Sequence, residues 1–202
     1  MDIKTIPKLD LHCHLDGSLT KAMIERHLGK PIPEDALTVS EDCRSLTEYL
    51  EKFDLPVQCL QDEAGLEDGA YTFVEEIAKE HVEYIEVRFA PMLSVHENLS
   101  CAKVIESVRK GMERAKADFQ VQYGIIVCAM RNHSQEQNLS MLKCAREYLG
   151  HGVCALDLAG DESAFPTSEF RDIFVEAKRL GMPFTIHSGE TGNLENVREA
   201  YE

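Results

Sequence analysis

Short strand-like runs alternate with amphipathic stretches along this chain, which predicts an α/β fold: a parallel sheet with helices packed against it. Three observations carry the prediction. Five strand-like runs, residues 6–15, 83–90, 120–130, 153–159 and 183–187, are separated by helix-like segments. No repeat, low-complexity tract or linker interrupts them. At 202 residues and 44% apolar composition, the chain is long enough for one domain with a sizeable core. A doubly wound sheet and a (β/α) barrel both satisfy the pattern.

The elements follow in order. After the first strand, residues 18–82 hold more helical sequence than one crossover requires, and the excess around residues 31–65 reads as extra helices over one end of the sheet. Ser45 with Glu48, and Ser134 with Gln137, have the spacing of capping boxes that open helices. Residues 100–118 place Val104, Ile105, Val108, Met112 and Ala115 at helical spacing, and residues 168–180 do so with Phe170, Ile173, Phe174 and Ala177. Residues 193–202 begin like a helix and stop in mid-pattern, so the chain is expected to be one C-terminally truncated domain over residues 1–202.

Charge narrows the function classes. With 21 basic against 36 acidic residues the net charge is −15. Nucleic acid and anionic membrane surfaces both require clustered cations, so neither is an expected partner. No run approaches the ~18 uninterrupted apolar residues of a membrane span, and residues 1–10 lack a signal-peptide core. Seven cysteines, an odd number with no C-x-x-C pair, suit free thiols in a reducing compartment and offer no all-cysteine zinc site. A cytoplasmic protein is expected.

The strands are unusual in their polar faces. Parallel strands are ordinarily buried on both sides and read as continuous apolar runs. Here Leu9, Leu11, Cys13 and Leu15 alternate with Asp10, His12, His14 and Asp16. Ile85, Val87 and Phe89 alternate with Tyr84, Glu86 and Arg88; Asp157 interrupts the fourth strand; Thr185 and His187 oppose Phe184 and Ile186. Burying such groups without partners costs about 2–7 kcal/mol each. The plainest resolution is mutual: Glu86 and Arg88 are expected in ion pairs inside a barrel.

For the histidines a second reading competes. Imidazoles at i and i+2 on one strand project the same way, as a pair of metal ligands does, although H-x-H also arises by chance. His187-Ser188-Gly189-Glu190, ending the fifth strand, reads either as a capped turn or as a third nitrogen ligand followed by a carboxylate able to move protons. Leu156-Asp157-Leu158-Ala159-Gly160-Asp161-Glu162 reads as a strand and its turn. Together these strings put polar groups at the carboxyl ends of three strands, where α/β folds place active sites.

His12-Cys13-His14-Leu15-Asp16-Gly17-Ser18, V-E-Y-I-E-V-R-F-A-P over residues 82–91, L-D-L-A-G-D-E over residues 156–162 and His187–Glu190 closely resemble the adenosine deaminase family in order and spacing. The resemblance covers essentially the whole chain. It implies a (β/α)8 TIM-type barrel of the metal-dependent hydrolase superfamily, incomplete here with about five βα units, and extra helices after the first strand. It also implies one Zn2+ per chain and hydrolysis of adenosine and deoxyadenosine to inosine and deoxyinosine. Carried over, His12, His14 and His187 are metal ligands, with His14 also facing substrate. Glu190 is the acid that protonates purine N1, Asp16 holds a ribose hydroxyl, and the Gly160 amide bonds purine N3. For that role Glu190 needs a raised pKa, from burial or anionic neighbours. Related adenine deaminases tend to carry Glu where Asp16 stands, so Asp16 favours a nucleoside.

The family is also longer. Its further catalytic histidine and its aspartate pair have no counterpart among these 202 residues. The expectation is that this chain alone is feeble or inactive and that a complementing C-terminal fragment is a possible partner. Another metal-dependent purine deaminase, and a non-catalytic fragment that pairs with a partner, are the competing readings.

Overall fold

In a computed structural model, residues 5–202 are described; the first four of the residues 1–10 considered above lie outside them. Four parallel strands, β1 (Lys8–His14), β2 (Val82–Phe89), β3 (Gln122–Met130) and β4 (Val153–Ala159), lie in the order β1-β2-β3-β4. With their helices they form an incomplete (β/α) barrel. Strand order follows chain order because each crossover sets its strand beside the previous one, as right-handed βαβ units do.

The connections after β1 are long, as expected. Helices α1 (Lys21–Leu28), α2 (Leu46–Leu50), α3 (Asp54–Gln58) and α4 (Glu63–Lys79) separate it from β2. Then come α5 (Cys101–Phe119) before β3, α6 (Gln135–Arg146) before β4, and α7 (Arg171–Arg179) and α8 (Leu194–Tyr201) after it. The capping signals behave differently. Ser134 and Gln137 form the reciprocal box, whereas Glu48 bonds the amide of Arg44 instead of Ser45, leaving only Ser45's half. Among the described residues no helix is long and apolar enough to cross a membrane.

The core follows the helical stripes. Val104, Ile105, Val108, Met112 and Ala115 of α5 are all buried. At the crossing with α4 the backbones come close: a Cβ on Gly111 would sit 2.2 Å from the Glu67 carbonyl oxygen, so only glycine fits. Strand β3 is buried on both faces from Ile125 to Ala129, the pattern of an interior parallel strand.

Two expectations are corrected at the sheet's flanks. The apolar parity of β1 is not uniformly buried: Leu15 is covered, but Leu9 and Leu11 are 71% and 56% exposed, because β1 is an edge strand of this sheet. Residues 183–187 lie alongside β4 but make a single bridge, Leu156 with Phe184, in place of a fifth continuous strand. Three backbone bonds still hold them: Leu156 N–H to Pro183 O, Thr185 N–H to Leu156 O and His187 N–H to Leu158 O, at 2.8, 2.9 and 3.0 Å. Pro183 has no N–H to contribute, and this segment is the sheet's other flank.

Candidate metal centre

The two flanks converge at their carboxyl ends. His12 and His14 project from one face of β1, and their Nε2 atoms stand 2.9 and 3.1 Å from Nε2 of His187. The pair 175 residues from its partner in sequence thus meets it in space. Tetrahedral zinc, with Zn–N bonds of about 2.0–2.1 Å, separates its nitrogens by about 3.3 Å, so the two separations to His187 are within a few tenths of an ångström of what such an ion needs, and all three donors lie within 4.8 Å of one another. Among the described residues these three are a group of nitrogen donors able to hold a metal ion.

The protonation states suit that role. Burial, reinforced by His187 and His12, lowers the His14 pKa to about 4. Burial and then the Arg88 cation lower that of His12. Both rings are therefore neutral at neutral pH, with a lone pair available to a metal. His187 presents Nδ1 to Asp157 Oδ2 at 2.7 Å, off the straight line of an ideal hydrogen bond, which turns Nε2 toward the other two rings.

Asp157 is fully buried and is approached from three directions, by Arg88, Thr185 and His187. Arg88 Nη1 donates to Oδ2 at 2.9 Å and Thr185 Oγ1 donates to Oδ1 at 3.0 Å. Burial pushes the Asp157 carboxyl up, but His187, Arg88 and Thr185 outweigh it and hold the pKa below the ordinary carboxylate value. The expected partner of Arg88 was Glu86; instead Glu86 accepts from the Tyr84 hydroxyl, two residues along the same strand, and Arg88 reaches across the sheet. Its other nitrogen, Nη2, donates to Leu11 O at 2.9 Å, the residue before His12. One guanidinium thus braces β1 and the carboxylate beneath His187.

A cavity of about 470 Å3 opens beside the cluster, walled by His12, His14 and Asp16 and by Tyr49, Lys52 and Phe53 of the helical insertion. The Phe53 ring meets His14 edge-on at 6.2 Å between centroids. The Thr47 hydroxyl of α2 bonds the Asp161 carboxylate, tying that insertion to the loop after β4. Tyr49, Lys52 and Phe53 had no signal in the sequence, since nothing local says which helix folds back over β1. Asp16 is buried, which raises its pKa to about 6 against the opposing bond from the Gly17 amide.

The remaining candidates stand apart from these walls. Gly160, at φ +108°, ends β4 against Arg131, where any side chain would be strained. Glu190 lies in the turn after His187 and is exposed, so the burial that its expected role requires is not present here.

A family model described as adenosine deaminase matches residues 7–202. An adenosine deaminase of Clostridium perfringens is 36% identical over 212 aligned positions, covering all of this chain and 64% of its own length. The chain thus spans about two thirds, or slightly less, of the curated relatives it matches. Among solved structures, Arabidopsis ADAL complexed with IMP superposes with a TM-score of 0.81 at 25% identity, over 97% of this chain and 62% of the other. The N6-methyl-AMP deaminase from Arabidopsis thaliana gives 0.80 at 26%, over 97% and 61%. With these matches spanning the strand ends that carry the histidine cluster, the chain belongs to the adenosine deaminase family.

Proposed function

We propose that this chain carries the metal-binding core of a zinc-dependent adenosine deaminase that hydrolyses adenosine and deoxyadenosine to the inosine nucleosides and ammonia. The observation that carries the reading is the convergence of three imidazoles beside a cavity of nucleoside dimensions. His12, His14 and His187 hold the ion. Zinc bound there would supply the Lewis acidity that activates water for attack.

The protein's own groups do the rest. Asp157 orients His187 and neutralises Arg88, so the ligand ring keeps one tautomer. Glu190 gives its proton to purine N1, which drains electron density from C6 as the nucleophile adds. Asp16 accepts a ribose hydroxyl, the Gly160 amide donates to purine N3, and His14 also flanks the substrate. Phe53 and Tyr49 cover the cavity and keep water from the purine.

The same reading makes the 202 residues alone a weak catalyst. Glu190 is exposed, and both flanks of the sheet are open. A complementing C-terminal fragment is the partner proposed with it, and the cytoplasm the proposed compartment. The deciding experiment measures zinc content and loss of adenosine absorbance together, with and without such a C-terminal segment. Zinc bound at one per chain, with activity that rises on complementation and vanishes in Glu190→Gln, is expected. A substrate panel preferring adenine to adenosine overturns the nucleoside assignment.

A further inference from the structure

His187 and Glu190 share one turn, and that turn is held by side chains from elsewhere. Arg131, which follows β3 and is 1% exposed, donates from Nη2 to the His187 carbonyl at 2.9 Å. Glu162, which follows β4 and is 2% exposed, accepts the Gly189 amide on Oε2 at 2.8 Å. Its Oε1 accepts the Thr191 amide at 2.6 Å and the Thr191 hydroxyl at 2.9 Å. The two clamps are linked: Arg131 donates to Thr167 Oγ1 at 3.0 Å, the Thr167 amide donates to Asn196 Oδ1 at 2.9 Å, and Asn196 Nδ2 donates to Glu162 O at 3.4 Å.

Two buried charges are expensive unless each is fully paired. Here Glu162 is committed to the amides and hydroxyl of a five-residue turn, and Arg131 to the carbonyls of His187 and Phe165 and to Thr167, not to each other. The carboxylate brackets residue 190 by taking the amides on both sides of it, and the guanidinium fixes the carbonyl of the residue that bears the imidazole. Gly189 sits at φ +90°, and a Cβ added there would meet Val197 of α8 at 2.7 Å, so the turn packs closely against α8.

We propose that Glu162 and Arg131 are positioning residues that together lock the His187–Thr191 turn, setting the third metal ligand and the spacing from it to Glu190. The inference rests on the metal-site reading above. Outer-sphere groups that orient a ligand are worth about 10–100-fold in metal affinity, and Glu162 acts one step further out, at the low end of that range.

The test titrates Zn2+ into the 202-residue chain against a chromophoric chelator and follows amide exchange at residues 189 and 191. In Glu162→Gln, which keeps the shape but turns an amide donor toward the backbone, affinity is expected to fall about tenfold. Exchange at the two amides should rise while that of β4 is unchanged. Thr191→Val, which removes only the hydroxyl bond, should fall about twofold. The visible bands of the Co2+-loaded chain should move in both variants. In a His187→Ala background Glu162→Gln should no longer change affinity, since an effect acting through the ring disappears with it. Equal losses in both backgrounds, or an unchanged affinity with exchange unchanged, overturn the clamp. Wild-type chain that binds no zinc overturns the metal-site reading and the clamp with it.

Discussion

β1 and the segment around residues 183–191 deliver histidines to the same point by opposite means. His12 and His14 stand on one strand, which pairs with β2 at Lys8–Asp10 and, past a register shift that leaves Leu11 and His12 out of the ladder, again at Cys13 and His14; their two-residue spacing turns both rings the same way. His187 ends a segment bridged to β4 at one place, and its ring and its turn are held by Asp157, Arg131 and Glu162 from three other parts of the chain. The difference is one of information range. A pair at i and i+2 is positioned by local backbone geometry, whereas a lone ligand after a weakly paired segment must be positioned by long-range polar contacts.

The comparison can be broken most severely at Asp157. Asp157→Ala leaves Arg88 buried and unpaired, and about 3–5 kcal/mol of unfolding free energy should be lost in urea denaturation. The matching change on the other flank, His12→Ala, exposes no buried charge and should cost far less stability. Both should weaken zinc, and His12→Ala or His187→Ala by more than the roughly 100-fold that bounds outer-sphere changes.

Asp16, next to the β1 pair, sharpens the contrast through pH. Burial lifts its pKa to about 6 from an ordinary 3.8, so its ionised form is disfavoured in the folded state. The contribution of Asp16 to stability is therefore most favourable below pH 3.8 and falls as pH rises toward about 6, remaining lower above that. Asp16→Asn should accordingly stabilise at neutral pH by about 2–3 kcal/mol, with the gain vanishing in acid, as read from denaturation midpoints across pH.

Glu162 runs the other way. Burial raises its carboxyl, but the amides of Thr191 and Gly189 with the Thr191 hydroxyl outweigh that and hold the pKa below the usual 4.5. Its stabilisation is present above pH 4.5 and lost as pH falls through the lower folded value. Amide protection at residues 189 and 191 should disappear in acid while the amides of β3 stay protected. The smallest effect is expected on the outer face of β1: Leu11→Ser, at a side chain 56% exposed, should shift stability of this chain by no more than about 0.5 kcal/mol.

Much of this architecture was legible in advance. The stripe of α5, the strand at residues 153–159, the helical insertion after β1 and the H-x-H pair all follow from periodicity, which reports which face an element buries. The misreadings have a common cause. Glu86 was matched to Arg88 because they are neighbours in sequence, but the arginine's partner is Asp157, 69 residues away. Leu9 and Leu11 were assigned to a covered face, and residues 183–187 to a full strand, because pattern does not say whether an element has a neighbour on both sides. Arg131 lies just past the strand read at residues 120–130 and carries no signal of its own, and Glu162 reads as part of a turn.

Periodicity and residue chemistry were thus enough to establish a parallel α/β chain with paired imidazoles on its first strand, because those properties act over two to four residues. The meeting of His187 with that pair, the burial of Asp16 and Asp157, and the exposure of Glu190 were settled only in the folded chain. Each depends on which distant groups surround a side chain, and desolvation and charge pairing act through space without regard to separation along the backbone.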